Sequence, residues 1–285
     1  MRIKIHKTRN QYILTNSNIW VRNFCLPDVP PLDINHLVSE NDCSLFLENE
    51  VCHRKKGINE LDWGNYKHEN VIIVSDGYEF DSKQLILEKF KEKIAVFGTN
   101  GSLCKWGYAA KDKRYKRAMT WYVVNNPYAE AKRFLPKHDY FPRCLAAARA
   151  NADFLKSYKG HKHLYFPIKD RLYSGLSHDS GVYVDDYRNP ICASISLAFR
   201  AGAKKILLFC CDNSFDKERP GAESLENGLW QYPQQNISNE IMDAMGYWLK
   251  NVGIMIANHS SGPNFKNIQY ITAEECIDFF KDNNG

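Results

Sequence analysis

Asp212 is the residue best placed by type and surroundings to do chemistry. It follows Ile206-Leu207-Leu208-Phe209-Cys210-Cys211, a run apolar enough for a strand covered on both faces. A carboxylate at such a strand end can hold Mg²⁺ against phosphate oxygens, because Mg²⁺ takes one or two carboxylates plus substrate oxygens. The same position also suits a loop cap. Other apolar runs stop on similar residues: Asp76-Gly77, Thr99-Asn100-Gly101, Asn125-Asn126 and Asn258-His259-Ser260. Asn, Asp and Gly are ordinary turn formers. Together, though, these strand ends make a polar rim of the kind that binds ligands in open α/β sheets. Gly77 and Gly101 would let a phosphate approach the backbone, and the helices that follow favour anions at their N-termini.

His259 is a candidate general base, with His178 as a second choice. Arg188, Lys169 and Arg171 are candidate phosphate clamps, Arg through bidentate hydrogen bonds. Asp179, Asp185 and Asp186 can complete a metal site, bind a sugar or ribose hydroxyl, or form a solvated acidic loop. Tyr173, Tyr183 and Tyr187 can stack on a base or pack the loop down. There is no G-x-G-x-x-G and no G-x-x-x-x-G-K-[ST], which sets aside the usual dinucleotide and P-loop fingerprints. No G-x-S-x-G or H-E-x-x-H occurs either.

The elements that must position these residues repeat as strand then helix. Strands are expected at Val71–Val74, Lys93–Phe97, Thr120–Val124, Leu164–Phe166, Ile206–Cys211 and Ile254–Ala257, with an edge piece at Ile268–Ile271. Helices are expected at Ser82–Lys91, Ser102–Tyr108, Tyr128–Phe134, Arg143–Ser157, after Asn189, and at Ile237–Val252. Asn189 is a candidate ligand residue and also a natural N-cap, with Pro190 fitting the first turn and Gly202 ending the helix. Thr272 and Glu275 have capping-box spacing for a last helix. Long loops are expected at 167–187 and 214–236. This order predicts a doubly wound, mostly parallel Rossmann-like α/β sheet. Residues 1–66 read as an N-terminal extension packed on a 67–285 core. Short strands are expected there near Ile3–Ile5 and Gln11–Leu14, with Pro27, Pro30 and Pro31 marking an irregular connection.

The 285 residues carry a formal charge of +5 and are 44% apolar, enough for a full core. A charge this mild does not suggest nucleic acid as a partner. No stretch suits a bilayer span, and the first residues lack the apolar core of a signal peptide, so a cytoplasmic protein is expected. Nine cysteines occur without a C-x-x-C pair, which predicts free thiols rather than a zinc site. The sequence leaves open whether the chain forms a homo-oligomer.

Asp186-Tyr187-Arg188-Asn189, the small-residue helix, Gly202-Ala203-Lys204-Lys205-Ile206 and Cys211-Asp212-Asn213-Ser214-Phe215 resemble the core of the MptE-like 6-hydroxymethylpterin diphosphokinase family. Val96-Phe97-Gly98-Thr99-Asn100-Gly101 resembles its second strand. The arrangement is also similar to bacterial lipooligosaccharide sialyltransferases. Where the first family has a Gly-Pro-Ser type phosphate loop, this chain has Ser75-Asp76-Gly77. The first resemblance implies Mg²⁺-assisted transfer of diphosphate from ATP to a pterin-like alcohol. Asp212 would hold the metal, Asn100 and Gly101 the nucleotide, and Arg188 would neutralise phosphate charge. The second implies glycosyl transfer from a nucleotide sugar, with His259 or His178 as base and Asn100 and Asn126 on the donor. A non-catalytic ligand-binding or assembly protein on the same scaffold is the third reading.

Overall fold

The computed structural model describes residues 4–8, 11–16, 19–20, 40–58, 66–77, 79–90, 93–99, 101–111, 118–137, 139–167, 183–184, 186–187, 189–212, 214, 223–224, 230–231, 233–260 and 265–281. Strands β1 (Lys4–Thr8), β2 (Gln11–Asn16) and β3 (Ile19–Trp20) form a small antiparallel sheet. Helix α1 (Glu40–Lys55) follows. The main sheet then begins with β4 (Asn70–Val74), the turn of helix α2 (Phe80–Lys83), β5 (Ala95–Thr99), α3 (Ser102–Lys111), β6 (Trp121–Val124) and β7 (Arg143–Ala147). It continues through α4 (Ala152–Ser157), β8 (Lys162–Pro167), the two-residue β9 (Tyr183–Val184), α5 (Pro190–Arg200) and β10 (Lys205–Phe209). A hairpin of β11 (Glu223–Ser224) and β12 (Trp230–Gln231) precedes α6 (Pro233–Asn251), β13 (Met255–His259), β14 (Gln269–Tyr270) and α7 (Ala273–Phe279).

Nine strands form one sheet in the order β14-β13-β10-β4-β5-β6-β7-β8-β9, and every neighbouring pair is parallel. The expected Rossmann-like α/β fold is therefore present. The chain starts at β4, steps outward to β9, and returns to lay β10 on the other side of β4. Alternate residues of each strand feed two cores. Ile72, Val74, Val96 and Phe209 pack on one face with Phe80, Leu103 and Cys276, while Val71, Ile73, Phe97 and Leu208 pack on the other with Ile195 and Met245. Burial on both faces is why these strands read as continuous apolar runs.

Local chemistry fixes the central helix. The Asn189 Oδ1 accepts from the Ile191 N–H at 2.7 Å and the Cys192 N–H at 3.4 Å, Pro190 opens α5, and Gly202 follows it at φ +83°. Asn189→Ala is expected to cost about 1 kcal/mol, read as a lower urea midpoint at unchanged slope. The Thr272–Glu275 capping box also forms, with the Thr272 N–H donating to Glu275 Oε2 at 2.7 Å.

Several elements differ from expectation. The segment Arg143–Ser157 is not one helix: Arg143–Ala147 is strand β7, and only Ala152–Ser157 is helical. Leu145, Ala146 and Ala147 are wholly buried between β6 and β8, and that packing overrides their helix propensity. The helix expected at Ser82–Lys91 is a short α turn running into a 3₁₀ helix at Gln84–Lys89. Ser82 lies inside it, its hydroxyl donating to the Glu79 carbonyl at 2.9 Å. Tyr128–Phe134 is 3₁₀ over Ala129–Phe134. The strand expected to reach Cys211 stops at Phe209, because Cys210 turns the chain at φ +53°. α6 starts at Pro233, inside the expected 214–236 loop. α1 was not anticipated as a helix.

Candidate functional site

The sheet order reverses between β4 and β10. That is the topological switch point, where the loops leaving two adjacent strands part and leave a crevice. Asp76-Gly77 leaves β4 there, and Asp212 follows β10. The left-handed turn at Cys210 directs the chain back toward β4, where the Gly77 N–H donates to the Cys210 carbonyl at 3.1 Å. A Cβ on Gly77 would strike the Asp212 carboxylate, and would lie 2.5 Å from the Cys210 carbonyl oxygen. Gly77 is thus required by the close approach of Asp212 and the Cys210 carbonyl.

Asp212 is 1% exposed and accepts from the Ser214 N–H at 3.3 Å. Burial pushes its carboxyl up to about 6. Hydrogen bonds from Ser214 pull the other way, and the charge of Glu79 pushes it further up. Asp76 is likewise raised by burial, partly offset by Lys105 and by the Gly101 N–H. Its carboxylate lies where a Cβ of Gly101 would be, at the start of α3, and takes a 3.4 Å bond from the Ser75 hydroxyl. The anion expected at this helix N-terminus is supplied by the protein itself. α5 is similarly closed by Asn189, and α4 by Asn151. These three helix starts are occupied by the chain's own side chains.

His259, at the end of β13, is 2% exposed. Its Nδ1 lies 2.8 Å from the Ile271 carbonyl, so Nδ1 carries the proton and Nε2 the lone pair. Nε2 has no hydrogen-bond partner among the described residues. Burial lowers the imidazole's pKa and keeps it neutral. The Ser260 hydroxyl accepts from the Cys211 N–H at 2.8 Å. Asp212 and His259 both feel the charge of Glu79, which is ion-paired with Lys83.

The other half of the rim is a buried polar cluster that the sequence did not disclose. Arg149 and Asp186 form an ion pair at 2.6 Å, with side chains 2% and 3% exposed. The Asn125 amide donates to the same Asp186 oxygen at 3.4 Å, and Arg149 Nε donates to the Asn125 carbonyl at 3.3 Å. Asn125 and Asp186 therefore serve Arg149. Asn126 holds its own turn, accepting from the Tyr128 N–H at 2.8 Å. Tyr187, at φ +44°, packs against the α5 side of the core. Helix α1 covers this half. Asn49 donates to the carbonyls of Pro127 and Arg149 at 3.2 and 3.0 Å and accepts from the Ala152 N–H at 3.1 Å. Phe46 lies under the Arg149 guanidinium and Arg54 over the Phe166 ring.

Asn100, Asn213, Lys169, Arg171, Tyr173, His178, Asp179, Asp185 and Arg188 lie outside the described residues. Among the described residues no group of three or more His, Cys, Asp and Glu is placed to hold a metal ion. A divalent cation at Asp212 would fit only with substrate oxygens completing its shell, as Mg²⁺ does beside phosphates. Seven described cysteines are free thiols. No helix among the described residues is long and apolar enough to cross a membrane.

No protein-family model matches the chain. No curated protein matches it either. Among solved structures, the MAf glycosyltransferase from Magnetospirillum magneticum AMB-1 is similar, with a TM-score of 0.59 at 11% identity. The match covers 81% of this chain and 39% of that one. The likeness is one of fold: an α/β arrangement shared with a glycosyltransferase, spanning well under half of that protein.

Proposed function

We propose that this chain transfers a sugar from a nucleotide-sugar donor to an acceptor hydroxyl, with the reaction at the crevice between β4 and β10. The observation that carries this reading is Asp212: a buried carboxylate at the switch point whose pKa of about 6 suits a general base near neutral pH. In the transfer, the acceptor oxygen gives its proton to Asp212 and bonds to the anomeric carbon. The bond from that carbon to the nucleotide's phosphate oxygen breaks, and the nucleotide leaves with the electron pair. The glycosyltransferase fold supports the reaction class. The occupied helix starts argue against a P-loop-like seat for phosphates there, so Arg188, Lys169 and Arg171 are the candidates to neutralise charge on the leaving group. Mg²⁺ held by Asp212 belongs to the alternative of diphosphate transfer, since a carboxylate bound to the metal would not take the acceptor's proton. Residues 67–285 form the catalytic unit in this proposal, and residues 1–66 an extension that covers part of its rim.

Thermal shift with CMP-, UDP- and GDP-sugars and with ATP, each with Mg²⁺ and with EDTA, tests it. Ligand at about 100 times its Kd adds about 2.7 kcal/mol, which moves the midpoint by several degrees. One nucleotide-sugar class should stabilise the chain and be turned over. Stabilisation by ATP alone, and only with Mg²⁺, would instead support diphosphate transfer to a pterin-like alcohol. No response to any nucleotide would leave a non-catalytic scaffold.

A further inference from the structure

The contact between α1 and the rim of β6, β7 and β8 contains a histidine in an unusual position. His53 is fully buried, and its Nε2 lies 2.7 Å from the Ala150 carbonyl. Nε2 therefore holds the proton and donates it, and the lone pair is on Nδ1. Nδ1 is buried and has no hydrogen-bond partner among the described residues. While the ring is neutral, this costs one unsatisfied acceptor. Once the ring is protonated, Nδ1–H becomes a buried donor on a cation with no acceptor among the described residues, which is far less favourable.

We propose that α1 is an acid-released cover over the β6–β8 half of the rim, with His53 as the residue that takes the proton. The surrounding charges offer the imidazolium little help. The Ala150 carbonyl favours the protonated ring; Lys56, just past the end of α1, opposes it, and Glu50 on α1 favours it but is held by Arg54 at 3.0 Å. Across the contact, Arg149 is a cation bound to Asp186, and Asp153 on α4 is exposed and paired with Lys132 at 2.9 Å. Burial accordingly lowers the His53 pKa below its ordinary 6.5. The sign follows. Docking is at full strength above about pH 6.5, where the released helix also has a neutral histidine. It weakens as pH falls from there toward the docked pKa, by at most about tenfold per pH unit for one proton. What release uncovers is the Asn125–Arg149–Asp186 cluster, which α1 meets through the three Asn49 hydrogen bonds and the Phe46 ring under Arg149, with Arg54 over Phe166 beside it. The proposal is independent of the transfer reaction.

Hydrogen exchange of the full chain tests it, read on α1 peptides from about pH 7.5 to 5 with rates corrected for intrinsic exchange. Protection of α1 should fall up to about tenfold per pH unit below about 6.5, while β4 and β10 keep theirs. His53→Gln keeps a donor for Ala150 and cannot take the proton, so its α1 protection should be flat with pH. Asn49→Ala should lower protection at every pH and keep the slope. A flat wild-type profile, or a slope that survives in His53→Gln, overturns the proposal. Should His53→Gln fail to dock even at neutral pH, an NMR titration of the wild-type His53 ring decides: a pKa at or above about 6.5 overturns it.

Discussion

Arg149→Met will destabilise the chain by about 3–5 kcal/mol, among the largest losses any single surface-silent change here can produce. Asp186 is 3% exposed, and Arg149 is its cation at 2.6 Å. Removing the guanidinium leaves a buried carboxylate without its cation, and it also strips the Asn125 carbonyl of its Arg149 donor. Chemical unfolding should show the loss as a lower midpoint, and the thermal midpoint should fall by roughly 10 °C for a chain of this size. The double variant Arg149→Met with Asp186→Leu should recover much of the loss, because a buried ion pair replaced on both sides by apolar groups is often neutral. If the single variant matches the wild type, the pair is not a structural unit.

Under the proposed function, Asp212→Asn will abolish transfer, and it will at the same time make the fold more stable. A general base contributes about 10²–10⁴-fold, so turnover should fall by at least that range. The wild-type rate should rise with pH through about 6, where the carboxyl ionises, and this limb should vanish in the variant. The stability sign is opposite to that of an ion-paired carboxylate. Here the folded pKa, about 6, lies above the ordinary 3.8, so the folded state prefers the protonated acid. Stability is lost as pH rises from about 4 to about 6, reaching on the order of 3 kcal/mol at neutral pH. Asn can still accept from the Ser214 N–H and carries no charge to desolvate. A variant that is inactive but melts several degrees higher at pH 7 fits this account; unchanged turnover would remove Asp212 from the chemistry. Strain of this kind, tolerated at a site because the reaction needs it, is a common stability–function trade.

The sheet was legible in the sequence wherever burial on both faces wrote an apolar run, as at Val71–Val74 and Ile206–Phe209. The caps at Asn189 and Thr272 were legible for the same local reason, since each needs only its own next turn. β7 was not, because Leu145-Ala146-Ala147 suits a helix and only the neighbours β6 and β8 make it a strand. That misreading also hid Arg149, whose partner Asp186 lies 37 residues away. α1 was invisible for a different reason: it meets the rim through Asn49 and His53, so it lacks an apolar stripe to signal a docked helix. At the site, the sequence marked the strand ends as ligand candidates and Asn189 as a cap, but not the structural partners of the others: Asp76, Asn125 and Asn126 also hold backbone or ion-pair partners of the chain itself.

The place of β4 in the sheet sets a clock on synthesis. Its second neighbour, β10, lies 135 residues further along, as the Glu69–Lys204 pair at the start of the two strands records. A ribosome adding about 5–20 residues per second needs on the order of 10 s to cover that distance. Throughout that interval the nascent sheet presents β4, an uncharged Val-Ile-Ile-Val edge, with nothing beside it. Such an edge invites pairing with another chain. Expression yield should therefore depend on holdase chaperones more than the stability of the finished fold would suggest.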